Sequence, residues 1–316
     1  MATSRSVAIE RVLAAVTSIL APAAPDGEAA AAALVDAELI GRPAFGIRLL
    51  AGVEDGEIIE RREPTIVASA LAVLDARGVF APVALATAAR VAGTLAGETG
   101  VAAVGIRHAA GIGRLAPYVE TLARQGLIAI ACTHSPSYVS PAGGTAPALG
   151  TNPLAYAAPT SAGPLVADFA TSALTRADLL DIRARGGTLP DGAALDADGM
   201  PTVDPVRAHT LLPRGGELGT LVALLVELLA GALLGTRAEY DGRGAIVIAL
   251  SPMRDGGADA AQLVTEVTRR LRQAGGAAPG DATAKRRAMT LASGQLALDA
   301  EAVRLLDALA PAWADP

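Results

Sequence analysis

The segment between Val101 and Thr133 constrains the fold most. Val101 to Ile106 has the apolar, β-branched content of a strand, and Leu115 to Gln125 has helical spacing closed by Gly126. Leu127 to Thr133 reads as a second, buried strand. Strand, helix and strand in about thirty residues place the centre of the chain in the α/β class. Leu165 to Asp168 and Ala245 to Leu250 (AIVIAL) add two more strands, and a helix is expected from Thr171.

The flanks are helical. Val7, Ile9, Val12, Leu13, Val16 and Leu20 recur at helical spacing until Pro22 and Pro25 end the run. Asp26 is placed to cap a second helix reaching about Ile40, which Gly41-Arg42-Pro43 breaks. A short helical stretch covers Ile47 to Val53, and Pro64 to Leu74 (PTIVASALAVL) is expected to form one strand entering a turn at Asp75 to Gly78. Ala81 to Leu95, Ala260 to Ala274 and Asp299 to Leu309 complete the predicted helices. Gly186 to Pro205 is expected to be an irregular surface loop, given its Asp-Gly and Pro turns. This order suggests a discontinuous arrangement. Residues 1–62 and 281–316 would form a helical terminal layer, and residues 63–280 an α/β centre carrying the cleft.

Composition narrows the functional classes. With 316 residues, 52% hydrophobic and 18% charged, the chain can bury a sizeable core, built from Ala, Leu and Val because aromatics are only 3%. A net charge of -6 argues against nucleic acid, which needs a clustered basic face; Lys285-Arg286-Arg287 reads as a solvated helix face. Leu218 to Thr236 (LGTLVALLVELLAGALLGT) is long enough to suggest a membrane span. Glu227 at its middle would cost about 2.5–3.5 kcal/mol there, so a buried helix is expected instead. The single cysteine, Cys132, excludes an internal disulfide. The charged first residues lack an uninterrupted apolar run of the signal-peptide kind, and a cytoplasmic setting follows.

Two motifs compete for a cofactor. Gly111-Ile112-Gly113-Arg114-Leu115-Ala116 fits G-x-G-x-x-A, yet the preceding strand is expected to end several residues early. The next strand ends in Cys-Thr-His-Ser with no acidic residue for a ribose. The alternative is a set of colinear blocks: Thr133 to Pro136 (THSP), Pro141 to Gly144 (PAGG), Leu149 to Pro159 (LGTNPLAYAAP), Asp168 to Ser172 (DFATS), Ala194 to Pro205, and Leu211 to Leu229. Together they resemble the malate/L-lactate dehydrogenase family, the non-Rossmann NAD(P)-dependent reductases of 2-oxo acids and cyclic imines, over about Ala30 to Ala310. The resemblance implies an α/β fold with a mixed sheet and terminal helices packed together, a homodimer, and a small carboxylate-bearing substrate.

The same resemblance implies which residues meet NAD or NADP. They are Ser135 of the block before Pro136, the Asp168-Phe169-Ala170 segment, Leu218 and Gly219 where the family has Gly-Gly-x-Lys-Gly, and Gly280 in a turn resembling Pro-Gly-Glu. Leu218 stands where the family carries its lysine and supplies no charge. Read from the residues alone, Asp168 or Thr171 would also serve as a helix N-cap.

Reduction with hydride needs a proton donor, usually histidine. The family's Ser-His-Gly-x-Arg is Ala44-Phe45-Gly46-Ile47-Arg48 here, and its second histidine is Gly111. His134, where the family has asparagine, and His108 are therefore the candidate donors, each weighed against a hydrogen-bonded loop histidine. Arg48 is the candidate for pairing a substrate carboxylate, and Tyr118 for donating a proton or simply packing. Ala142 replaces a family tryptophan and would enlarge the pocket. Cys132 and His134 lack a third ligand at useful spacing, so no metal is expected. Three functions remain open: an oxidoreductase of a 2-oxo acid or imine, a non-redox enzyme such as a cyclase, lyase or isomerase, and a catalytically silent member.

Overall fold

A computed structural model describes residues 5–252 and 259–313. In chain order the elements are β1 (Arg5–Ala8), α1 (Ile9–Leu20), α2 (Asp26–Leu39), α3 (Ala51–Glu54), β2 (Thr65–Ala68), β3 (Leu71–Asp75), α4 (Ala81–Thr99), β4 (Val101–Ala109) and α5 (Ala116–Arg124). There follow β5 (Ile128–Thr133), β6 (Leu154–Ala158), β7 (Leu165–Phe169), α6 (Arg176–Ala184), β8 (Ala194–Leu195), β9 (Pro201–Thr202), β10 (Thr210–Leu211) and α7 (Glu217–Val226). A π-helical turn, Glu227–Ala232, extends α7. The chain ends with β11 (Arg243–Leu250), α8 (Ala260–Gln273), α9 (Asp281–Ser293), β12 (Gln295–Leu298) and α10 (Ala300–Leu309).

Among the described residues the principal sheet has seven strands in the order β2-β3-β4-β11-β5-β6-β7. It is mixed: β2 pairs antiparallel with β3, and β3 parallel with β4. Contacts divide the chain into two units. One comprises Met1–Ile130, Tyr156–Ala167 and Val247–Pro316; the other comprises Ala131–Ala155 and Asp168–Ile246.

In the first unit the two flanks meet. β1 pairs antiparallel with β12, Val7 opposite Leu296, and a core joins Val12, Val16, Leu20 and Leu34 to Leu298, Leu305, Leu306 and Trp313. The apolar stripe of α1 buries Ile9, Val12, Val16, Ile19 and Leu20, and α10 is capped by Asp299, whose carboxylate accepts from Ala302 N at 3.0 Å. In the second unit β8 pairs with β9 and β10, and a small core gathers Val139, Leu189, Ala194 and Leu211.

Several expectations need correction. Pro64 to Leu74 forms the hairpin β2–β3, because the chain reverses at Ser69-Ala70. β4 runs three residues beyond Ile106, so the Gly111 motif follows its strand more closely than the apolar run implies. Asp26 does not cap α2; its carboxylate is taken by Thr87 Oγ1 at 2.8 Å and by the Arg90 guanidinium. The helix after β7 starts at Arg176, not Thr171. Thr175 caps it in a reciprocal box with Asp178, which also removes the capping roles expected for Asp168 and Thr171. The Gly186 to Pro205 loop contains β8 and β9.

The largest departure is α7. Its small residues Gly219, Ala223 and Val226 face inward, whereas Leu218, Leu221, Leu224 and Leu225 are exposed, as are Leu228 and Leu233 beyond it. It is not a buried helix but one that presents its leucines outward. No described helix is long and apolar enough to cross a membrane.

Candidate active site

The second unit contains a connected polar cluster built on the segment after β5. His134 is 2% exposed. Its backbone N–H donates to Gly244 O at 3.2 Å, and Thr133 Oγ1 donates to the same carbonyl at 2.7 Å, tying the segment to the start of β11. Gly244 is required there, since a Cβ would lie 1.8 Å from Ala230 O and 2.5 Å from Thr236 Oγ1.

The imidazole is held at one nitrogen and faces a carboxylate with the other. Nε2 lies 3.0 Å from Thr236 Oγ1, and that hydroxyl gives its one proton to Ala230 O at 3.0 Å. Thr236 must therefore accept, so Nε2 carries the hydrogen and Nδ1 is the free base of the neutral ring. Nδ1 faces Glu227 Oε2 at 3.6 Å, beyond a direct hydrogen bond. Burial holds the His134 pKa below its ordinary value; the charges of Glu227 and Glu239 oppose this, and Arg243 reinforces it.

Asn152 orients the carboxylate. Its Oδ1 accepts from Ser135 N at 3.1 Å, which fixes the amide, and Nδ2 then donates to Ala223 O at 3.1 Å and to Glu227 Oε1 at 2.8 Å. Asn152 sits at φ +36°, a left-handed conformation that asparagine tolerates better than most residues. Gly150 must lack a side chain, because a Cβ would lie 2.3 Å from Asn152 Oδ1 and 2.4 Å from Ser135 Oγ. Ser135 Oγ accepts from Thr151 N at 2.9 Å and lies 3.2 Å from Thr151 Oγ1, so the buried hydroxyl is already engaged. Cys132 beside them is buried, with its thiol pushed up to about 12, and is no nucleophile.

The remaining cofactor candidates of this unit lie near a second feature. Arg214 closes the β7–α6 connection: its N donates to Thr171 O at 2.8 Å, and its guanidinium to Ala170 O at 3.2 Å and Ala173 O at 3.3 Å. Gly219 packs against the same strap, with a Cβ 2.3 Å from Arg214 O and 2.9 Å from Thr171 O. Gly215 and Gly216 turn the chain at φ +66° and +65°, with open space where their side chains would be. Leu218 follows, 68% exposed. Asp168 and Phe169 end β7, both half-buried.

Arg183 and Arg214 of this unit are taken up by backbone carbonyls, whereas Arg176 and Arg243 have neither a carboxylate nor a carbonyl acceptor for their guanidinium among the described residues. Arg176 lies over the Tyr138 ring at 4.4 Å. Arg243 begins β11; burial and the like charge of Arg176 hold its pKa below the ordinary value. Nothing in composition or spacing singled these two out.

The first unit holds the other candidates. His108, in the left-handed region at φ +59°, places Nδ1 2.8 Å from Asp75 Oδ1 and Nε2 3.1 Å from Arg77 Nη2. Arginine only donates, so Nε2 accepts and Nδ1–H donates to Asp75, leaving neither nitrogen open. Burial would raise Asp75, but the hydrogen bonds from His108 and the Arg77 amide hold it below its ordinary value. Arg48 donates to Asp299 Oδ2 at 3.0 and 2.9 Å. Tyr118 is buried with its hydroxyl on Pro82 O at 3.1 Å, and burial raises its pKa. Packing is the role this geometry favours. A Cβ at Gly280 would lie 2.7 Å from Val166 O. No group of three metal-ligating side chains occurs among the described residues.

Comparison with known proteins agrees with this architecture. The sequence profile of the malate/L-lactate dehydrogenase family matches residues 7–307. The chain is 34% identical over 280 residues to the Delta(1)-pyrroline-2-carboxylate/Delta(1)-piperideine-2-carboxylate reductase of Pseudomonas syringae pv. tomato, covering 83% of this chain and 81% of that protein. It is 37% identical over 219 residues to a (2R)-3-sulfolactate dehydrogenase (NADP(+)) of Chromohalobacter salexigens, covering 67% and 66%. The match to Delta(1)-pyrroline-2-carboxylate reductase 1 of Burkholderia ambifaria, 39% identical over 188 residues, spans 58% of this chain and only 55% of that protein. The crystal structure of delta1-piperideine-2-carboxylate reductase from Pseudomonas syringae superposes with a TM-score of 0.84 at 30% identity, covering 97% of this chain and all of that one.

Proposed function

Because the chain belongs to the malate/L-lactate dehydrogenase family, we propose that it reduces a small 2-oxo acid or cyclic imine carboxylate with NADH or NADPH, drawing the proton from His134. One observation carries this assignment. Where the family has asparagine, this chain buries an imidazole whose Nε2 is fixed by Thr236 and whose Nδ1 is left as a base facing a carboxylate. Protonated at Nδ1 beside that carboxylate, the ring becomes a proton donor, which offsets the loss of histidine at Phe45 and Gly111. His108 has both nitrogens occupied and Tyr118 is sealed against Pro82, so neither supports the reading as well. Relatives named as imine reductases and a sulfolactate dehydrogenase favour redox chemistry over the non-redox alternative.

For the dinucleotide, the open turn at Gly215-Gly216 ahead of α7 gives a phosphate access to the first amides of that helix. Asp168, Phe169 and Ala170, at and just past the end of β7, are the residues of the same unit that would line it, while Ser135, its hydroxyl buried and engaged by Thr151, would hold the segment in place and not touch the dinucleotide. When bound, the nicotinamide supplies hydride to the substrate carbon. The substrate carboxylate would be received by Arg243 and Arg176, which have no acidic partner among the described residues, because Arg48 is already paired with Asp299. A homodimer belongs to the same reading, the outward leucines of α7 offering an apolar face to a second copy.

Titration of the protein with NADH and NADPH, followed by melting temperature, tests the assignment. Stabilisation should grow with ligand concentration, and no response to either nucleotide at about millimolar levels would overturn it. The substitution Leu218→Lys, restoring a cation beside the turn, is expected to tighten binding of the responding nucleotide.

A further inference from the structure

Glu227 entered as a charge too costly for a membrane helix, and nothing in the family resemblance assigned it a task. Its setting is specific. It opens the π-helical turn Glu227–Ala232, a rare geometry enriched at functional positions. The same turn supplies Ala230 O, the acceptor that forces Thr236 to accept from His134 Nε2. A connected chain results: Ser135 N–H to Asn152 Oδ1, Asn152 Nδ2 to Glu227 Oε1, Glu227 Oε2 facing His134 Nδ1, His134 Nε2–H to Thr236 Oγ1, and the Thr236 hydroxyl to Ala230 O.

Along this chain one link lacks a proton. Nδ1 and Oε2 are both acceptors, and two acceptors facing each other at 3.6 Å repel unless a proton lies between them. The imidazole is sealed at 2% exposed, whereas the Glu227 side chain is 30% exposed. A proton stored on the ring therefore has its exit at the carboxylate. We propose that Glu227 is a catalytic residue that shares one proton with His134 and delivers it from Oε2 to the substrate. The Nδ1–H bond breaks as Oε2 takes the proton across the closing gap; the Oε2–H bond then breaks as the substrate oxygen or nitrogen, left basic by hydride added to its carbon from the reduced nicotinamide, forms the O–H or N–H bond of the product. A carboxylate and a neutral imidazole remain, and water re-protonates the pair. The charges facing the ring are Glu227 from the π-helical turn, Glu239 from the following loop and Arg243 from β11; Glu227 is the one aligned with Nδ1.

This inference rests on the reductase reading, and two measurements separate them. The first needs neither substrate nor nucleotide: nitrogen-15 NMR of the three histidine side chains in the full chain, assigned with His108→Gln and His209→Gln. Neutral His134 is expected to carry hydrogen on Nε2, and Glu227→Gln, which keeps an oxygen for Asn152, is expected to move its titration to lower pH. A hydrogen on Nδ1 in the neutral ring, or a titration unmoved by Glu227→Gln, overturns the proposal. The second is turnover with pyruvate, oxaloacetate and cyclic imine carboxylates. Glu227→Gln is expected to lower kcat about 10²–10⁴-fold with KM nearly unchanged, and Glu227→Asp to restore part of it with a displaced pH profile. Full activity in Glu227→Gln overturns the catalytic role even if the NMR shift is found. A wild-type chain that binds no nucleotide defeats the reductase reading instead, and the tautomer and titration then still decide whether the pair exists.

Discussion

At the scale of single residues, buried polar groups dominate. Glu38, on α2, is 8% exposed and takes the Ile47 N–H at 2.9 Å. Burial raises its pKa from 4.5 to about 7; the Ile47 hydrogen bond and Arg48 oppose the rise, and Asp299 adds to it. The folded state therefore holds a proton that the unfolded chain has released between these values. The stability this gives is complete below about pH 4.5 and lost as pH rises through 7, a difference of about 3 kcal/mol. We predict that Glu38→Gln, which keeps an oxygen for Ile47, melts higher than the parent at pH 8 and equally at pH 4.5. Parallel pH–melting curves would refute the burial argument. The identities of Glu38 and His134 are plain in the sequence, but their partners are not. Ile47 is nine residues from Glu38, and Thr236 is 102 from His134.

At the scale of elements, α7 shows where hydrophobic periodicity misleads. Counting apolar residues from Leu218 to Thr236 gives a helix hydrophobic all round, which ordinarily means burial. In the fold the inward positions Gly219, Ala223 and Val226 are small, because the helix sits close on the Arg214–Thr171 strap and over Asn152. The leucines are left outside. The paired change Leu221→Glu with Leu225→Glu, at positions 57% and 46% exposed, is predicted to lower the oligomeric state seen by sedimentation while leaving the melting of the isolated chain within about 0.5 kcal/mol. A monomeric parent, or an unaltered assembly in the double variant, would remove α7 as the dimer face. The capping of α6 runs the other way: Thr175 and Asp178, three apart, form a capping box that lies within local sequence.

For the whole molecule, the ends of the chain meet in one core. β1 and β12 are paired, and Leu298, Leu305 and Leu306 are fully buried among residues of α1 and α2. Leu305→Ala is predicted to destabilise the fold by about 2–5 kcal/mol, measured by urea unfolding, with a single transition retained. A loss under 1 kcal/mol would mean the terminal layer is not part of the cooperative core.

The sequence by itself determined the family, the α/β class, the helical flanks and the absence of the usual histidines, because these depend on local pattern and on long colinear blocks. It also supplied His134, Glu227 and Arg243 as residue types without saying that they face one another. Tertiary structure decided that, since a polar cluster drawn from positions 134, 152, 227, 236 and 243 leaves no spacing rule in the chain. Only the folded backbone, with Gly150 and Gly244 permitting close approach, brings an unpaired nitrogen and an unpaired carboxylate oxygen to 3.6 Å. Their chemistry follows from that distance.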